Sequence, residues 1–285
     1  MSFRAALIQM RSGRDMARNL ADASDLIRAA HAQGAVFIAT PEMSNILEPD
    51  RPRLKSLVRD EREDRSVAGF SALAAELGLW LNVGSLALKG DGEKLLNRSL
   101  LLAPDGSIAA RYDKIHLFDV DLPTGERLRE SHAYEGGSRA VLAQTPFGML
   151  GLTICYDMRF ARLYRSLAQA GAGFFTVPSA FTVPTGQAHW HVLLRARAIE
   201  TASFVLAAAQ GGRHESGRET FGHSLIVSPW GEVLAEGGTE PQMLIADLDM
   251  NQVAEVRRRL PALKHDRAYE LENLKAGTGI ATSLP

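Results

Sequence analysis

Residues 149–179 read MLGLTICYDMRFARLYRSLAQAGAGFFTVPS. Met149 to Ile154 is an apolar run, and the spacing from Phe160 to Ala170 predicts a helix with Gly171 as its C-cap. Gly173 to Val177 is a second apolar run, closed by Pro178. Strand, helix and strand in this order are the unit of a parallel sheet, and near-continuous apolar strands are buried on both faces. The same punctuation occurs earlier in the chain. GAVFIATPE (34–42) sets against GAGFFTVPS (171–179), agreeing at Gly, Ala, Phe and Pro. NRSLLLAPDGSIAA (97–110) sets against GHSLIVSPWGEVLA (222–235), agreeing at Ser, Leu, Pro, Gly and Ala. Turns and buried strands reuse the same residue types, so such matches also arise without common origin. A duplicated half is the other reading. It implies an α/β fold in which two mixed sheets pack face to face with helices outside, a four-layer αββα sandwich. Catalytic groups then belong at strand ends, where loops gather.

The remaining segments keep the alternation. Strands are expected at Ala5–Gln9, Ala35–Ala39, Leu79–Leu88, Ser99–Leu102 and Ile108–Tyr112. Helices are expected at Asp15–Gln33 and Glu63–Leu77, the latter stopped by Gly78. In the second half a helix is expected at His189–Ala202 and a strand at Phe204–Ala209. His223–Val227 and Glu232–Ala235 read as a hairpin around Pro229-Trp230-Gly231, before a last strand at Leu244–Leu248 and a last helix at Gln252–Leu260. Residues 1–272 are read as the catalytic domain, and the small, polar stretch 273–285 as a loose tail.

The chain has 285 residues, with 32 Lys and Arg against 33 Asp and Glu, a net charge of −1. That balance argues against binding nucleic acid by phosphate neutralisation. No apolar run approaches the roughly 18 residues that a membrane span needs, and no signal peptide opens the chain. A cytoplasmic location is the resulting expectation. There is a single cysteine, Cys155. One thiol makes neither an internal disulfide nor, by itself, a structural zinc site.

Cys155 follows an apolar strand and precedes a polar Tyr-Asp-Met-Arg leading into a helix. A strand-to-helix corner exposes a side chain and sets its thiolate near a helix N-terminus, which favours the reactive form. The alternative is an inert buried Cys. A nucleophilic thiol needs a base or a cationic neighbour. His116, His189, His191, His214 and His223 all lie near expected element ends, so a Cys–His pair stays open at this level. Glu42, directly after AVFIATP, offers a carboxylate base at the end of a buried strand. Lys114, after IAARYD, offers an ammonium suited to a developing oxyanion.

Taken together, Glu42 in TPEM, Lys114 in YDKIHLFDVD and Cys155 in ICYDMRF resemble the Glu-Lys-Cys triad of the nitrilase superfamily of carbon–nitrogen hydrolases. The resemblance runs from about Phe3 to Tyr269 and implies the four-layer sandwich. It also implies a second glutamate, Glu130 in RES (129–131), with Glu126 and Glu135 close by. PSAFTVPTGQAHWHVLLRARAIET (178–201), AAAQGGRHESGRETFGHS (207–224) and LPALKHDRAYEL (260–271) resemble its branch of deaminated glutathione amidases and omega-amidases. The branch implies amide hydrolysis through a thioester, with no metal or cofactor. Glu42 is then the base, Lys114 and the Tyr156 backbone N–H the oxyanion donors, and deaminated glutathione the first-choice substrate. The family also implies a homodimer or higher homo-oligomer. Such a substrate carries carboxylates, so its pocket should present arginine. Of Arg159, Arg195, Arg197, Arg213 and Arg218, Arg213 is preferred, and with His214 it forms the candidate substrate-binding pair. A non-catalytic assembly protein is the reading of another class.

Overall fold

The computed structural model describes residues 1–122, 125–275 and 278–281. The first sheet contains β1 (Ser2–Gln9), β2 (Phe37–Ala39), β3 (Trp80–Lys89), β4 (Leu95–Leu102) and β5 (Ile108–Asp113). The second contains β6 (Val141–Thr145), β7 (Gly148–Leu152), β8 (Phe174–Thr176), β9 (Phe204–Ala207), β10 (Leu225–Val227) and β11 (Val233–Glu236). β12 (Gln242–Asp249) returns to the first sheet.

The strand orders are β12-β1-β2-β3-β4-β5, with Tyr134–Glu135 beside β4, and β6-β7-β8-β9-β10-β11. Each has three parallel strands in its centre, an antiparallel edge on one side and an antiparallel hairpin on the other. α1 (Met16–Ala32) and α2 (Arg65–Leu77) connect the parallel strands of the first sheet, and α3 (Ala161–Gln169) and α4 (Val183–Thr201) those of the second. α5 (Asn251–Arg259) follows β12. The two matched sequence pairs occupy equivalent places. GAVFIATPE and GAGFFTVPS hold the middle parallel strands, and the other pair holds the β4–β5 and β10–β11 hairpins.

Strand alternation builds the layers. Ala5, Leu7, Phe37 and Ala39 enter the core between the sheets, whereas Ala6, Ile8 and Ile38 pack under α1 and α2. Phe37 and Phe174 meet across the sheets with ring centroids 5.5 Å apart and planes at 83°. On the outer side of the second sheet, Phe175 packs against Tyr164 of α3. The result is the expected helix–sheet–sheet–helix sandwich.

The caps explain the helix limits. Asp15 accepts from the N–H groups of Ala17 and Arg18, and Asp64 from those of Ser66 and Val67. Gly78 closes α2 at φ 63°, a conformation glycine adopts without a Cβ clash. α4 starts at Val183, earlier than the expected His189, because Pro184 sits in its first turn, where no intrahelical N–H bond is lost. Among the described residues, no helix is long and apolar enough to cross a membrane. At the C-terminal end, Glu272–Lys275 pairs with Thr278–Ala281, and the rest of the expected tail lies outside the described residues.

Candidate active site

Three of the sequence-selected residues follow strand ends and meet in one cavity of about 230 Å³. Glu42 lies just past β2, Lys114 directly after β5, and Cys155 just past β7. Glu130 joins them from a short turn at Glu130–His132. Lys114 is 2% exposed, and its Nζ donates to Glu42 Oε1 at 2.8 Å and to Glu130 Oε2 at 2.9 Å. Glu42 Oε2 accepts from the Ala180 backbone N–H at 2.9 Å, so both its oxygens are held. Glu130 Oε2 also accepts from the Phe118 N–H at 2.7 Å. Glu126 and Glu135 point to solvent.

Cys155 occupies a strained corner. Its φ of 49° is left-handed, which for a non-glycine residue costs about 1–2 kcal/mol. The corner is fixed from both sides. The Cys155 N–H donates to Pro178 O at 2.9 Å. Buried Asp157 accepts from the Ile154 N–H, the Tyr112 hydroxyl, and both the backbone N–H and Nδ1 of His116. Cys155 opens a 3₁₀ turn running to Arg159, and the first N–H groups of such a turn, including that of Tyr156, have no acceptor within it.

The electrostatics follow from one ammonium between two buried carboxylates. Burial alone pushes Lys114 down, but the charges of Glu130 and Glu42 outweigh it and hold the amine well above its ordinary value. Burial pushes Glu42 up, yet the Lys114 charge, its hydrogen bond and the Asn97 amide bring the carboxyl below its ordinary range. The Cys155 thiol is pushed up, first by burial and then by the Glu42 charge. The sequence expectation of a thiolate favoured by a helix N-terminus therefore does not describe the resting site. Burial and then the Glu42 charge both oppose the thiolate there. The thiol instead shares the buried cavity with the Glu42 carboxylate.

Among the described residues no histidine lines the cavity, so no Cys–His pair is formed there. His214 is buried and bonded to Ser12 O and Thr220 Oγ1, and burial keeps it below the ordinary imidazole range. Arg213 is exposed on a short strand, Gly211–Arg213. Neither residue lines the cavity; Arg218, five positions beyond Arg213 on the paired side of that hairpin, does. Arg218 Nη2 donates to Ala180 O at 3.0 Å, on the segment that also holds Glu42. Arg51 lines the opposite stretch. Arg159, Arg195 and Arg197 bond instead to His189, Gly231 O and Met158 O.

Asn97 escaped the sequence reading. Its Nδ2 donates to Glu42 Oε1 at 2.9 Å and Glu130 Oε1 at 3.0 Å, tying the two carboxylates together. A polar residue alternating with Ser99 and Leu101 on the inward face of an apolar strand was the available signal.

A cavity with a buried carboxylate, an ammonium and a thiol in mutual reach is built for attack on a carbonyl. The family comparison agrees. The model of the Carbon-nitrogen hydrolase family matches residues 4–258. The chain belongs to that family, within the nitrilase superfamily, and is a hydrolase acting on the carbon–nitrogen bonds of amides. It is 40% identical over 274 residues to the Bos taurus protein named deaminated glutathione amidase, covering 94% of this chain and 83% of that one. It is 36% identical over 277 residues to omega-amidase NIT2 of the same organism, covering 96% and 99%. The solved structure of the C. elegans NitFhit protein superposes with a TM-score of 0.87 at 34% identity, covering 98% of this chain and 71% of that one.

Proposed function

We propose that this amidase works through Cys155 and cleaves deaminated glutathione to 2-oxoglutarate and cysteinylglycine. The observation that carries the reading is the buried Cys155 thiol lining one cavity with Glu42, whose carboxylate is fixed by Lys114. Because the thiol is pushed up, little preformed thiolate exists at neutral pH. Glu42 must therefore take the proton as the sulfur attacks, acting as a general base. The Cys155 sulfur bonds to the amide carbon, and the carbonyl oxygen becomes an oxyanion. The Lys114 ammonium and the Tyr156 N–H stabilise it, each such donor being worth about 3–4 kcal/mol. The carbon–nitrogen bond breaks as Glu42 returns its proton to the leaving nitrogen. Glu42 then takes a proton from water, whose oxygen adds to the thioester carbon. The thiol leaves with that proton. Glu130 orients Lys114 in each step.

The substrate choice rests on charge. Arg51 and Arg218 line the cavity, and neither pairs with a carboxylate among the described residues. A guanidinium accepts a carboxylate bidentately. Deaminated glutathione has a carboxylate at each end, whereas 2-oxoglutaramate has one. The same reading has the enzyme act in the cytoplasm as a homodimer.

The test is a steady-state comparison of kcat/KM on the two substrates, with Cys155→Ala and Glu42→Gln beside the parent. Preference for deaminated glutathione supports the reading, and preference for 2-oxoglutaramate makes the chain an omega-amidase. Both variants should remain folded by circular dichroism and lose turnover. Appreciable activity in Cys155→Ala would remove the thioester mechanism.

A further inference from the structure

A second cluster of chemistry-bearing side chains lies apart from the cavity. We propose that His191, His223 and Glu236 bind a late first-row divalent cation, with zinc as the probe. His191 is on α4, His223 just precedes β10, and Glu236 is the last residue of β11. Far apart in sequence, they converge in space. His191 Nε2 lies 2.8 Å from Glu236 Oε1, and His223 Nδ1 lies 3.0 Å from the same oxygen. The three ligand atoms all fall within 4.8 Å of one another. None of the three residues lines the catalytic cavity.

The imidazoles are held, not merely near. The His223 ring stacks on Phe221 with centroids 4.4 Å apart, and the His191 ring meets Phe221 edge-on at 6.2 Å and 90°. The His223 backbone is also fixed. Its φ of 53° is left-handed, a conformation that costs a non-glycine residue about 1–2 kcal/mol. Two bonds retain it. Its carbonyl accepts from Nε1 of buried Trp190 at 2.7 Å, and its N–H donates to Gly238 O at 2.8 Å. The neighbouring fold therefore aims this ring at Glu236.

Two imidazoles and one carboxylate form a ligand set suited to zinc and its late first-row neighbours. Both histidines are half-buried and Glu236 is exposed, so an ion can enter from solvent and complete its shell with water. The bound ion replaces the proton-mediated contacts to Glu236 Oε1. It would clamp α4 to the β10–β11 hairpin on the outer surface of the second sheet. This assignment concerns stability and is independent of the proposed substrate.

The test is calorimetric titration of the full chain with zinc chloride, paired with thermal unfolding before and after EDTA. The expected result is one saturable site in the micromolar range and a Tm raised by zinc and restored by EDTA. Cys155→Ala should bind equally well, because the thiol is not a ligand. His191→Ala and Glu236→Gln change surface positions and should fold. Each should weaken zinc by at least the roughly 10- to 100-fold that loss of a mere outer-shell partner brings. His191→Ala should keep parental amide hydrolysis in metal-free buffer. Absence of a saturable site, unchanged affinity in both ligand variants, or loss of binding in Cys155→Ala would each overturn the proposal.

Discussion

The two halves share one frame and differ sharply in what they place at its ends. The matched segments and strand registers put Glu42 at the position of Ser179, Lys114 at that of Thr239 and Cys155 at that of Met10. The first end carries a buried carboxylate, ammonium and thiol; the second carries a hydroxyl, an exposed threonine and a thioether. A buried charge is costly unless paired, and Lys114 is paired twice. The equivalent positions carry neutral groups, so the repeated frame by itself does not call for charges there. Charges retained at the first end fit the chemistry proposed for Glu42, Lys114 and Cys155.

The largest effect that could break this comparison is expected from Lys114→Met. It leaves Glu42 and Glu130 facing each other without their cation. We expect loss of turnover and a stability decrease of about 3–5 kcal/mol in denaturant unfolding. A folded variant of parental stability would mean that the two ends are energetically alike.

A pH series sharpens the contrast next. Glu42 is held below its ordinary 4.5, so its stabilisation is present above that value and is lost as pH falls through the lower folded value. Lys114 is held above its ordinary 10.5, so its stabilisation is complete below that value and is lost as pH rises through the folded one. Stability from this pair should be level between those limits. The kcat/KM profile should likewise show no inflection between about pH 6 and 9, since neither Glu42 nor the raised Cys155 titrates there. An inflection near the imidazole range would point to a histidine base.

The smallest effects belong to the second end. Ser179→Ala removes one hydroxyl bond to Val177 O and should cost about 1 kcal/mol with activity retained. Thr239→Ala, at the exposed counterpart of Lys114, should stay within about 0.5 kcal/mol of the parent. Loss of activity in either would show that the second end takes part in the chemistry.

Much of the frame was legible because buried strands and caps leave local marks. Gly78 stops its helix as expected, and Asp15 and Asp64 cap helices whose expected starts were Asp15 and Glu63. The apolar runs at Phe37–Ala39 and Phe174–Thr176 fall in the centres of the two sheets. The α4 start was less legible, because Val183 and Pro184 look like loop residues until Pro184 is placed in a first turn. The meeting of Glu42, Lys114, Glu130 and Cys155 was legible through order and flanks. The pocket arginine was not. Arg213 and Arg218 lie on one short hairpin, and strand alternation with turn geometry decides which of them reaches the cavity.

The sequence by itself marked the strands and helices and placed Glu42, Lys114 and Cys155 at strand ends through local patterning, while the αββα frame and Glu130 were reached through the matched segments and the family resemblance. Tertiary structure alone decided the protonation of the thiol, the bridging of two carboxylates by Asn97, the choice of Arg218 over Arg213, and the convergence of His191, His223 and Glu236. Each depends on distances and burial set by how the elements pack, which no local pattern specifies. Hydrophobic pattern constrains which face of an element is buried, but it does not specify which polar atoms meet there.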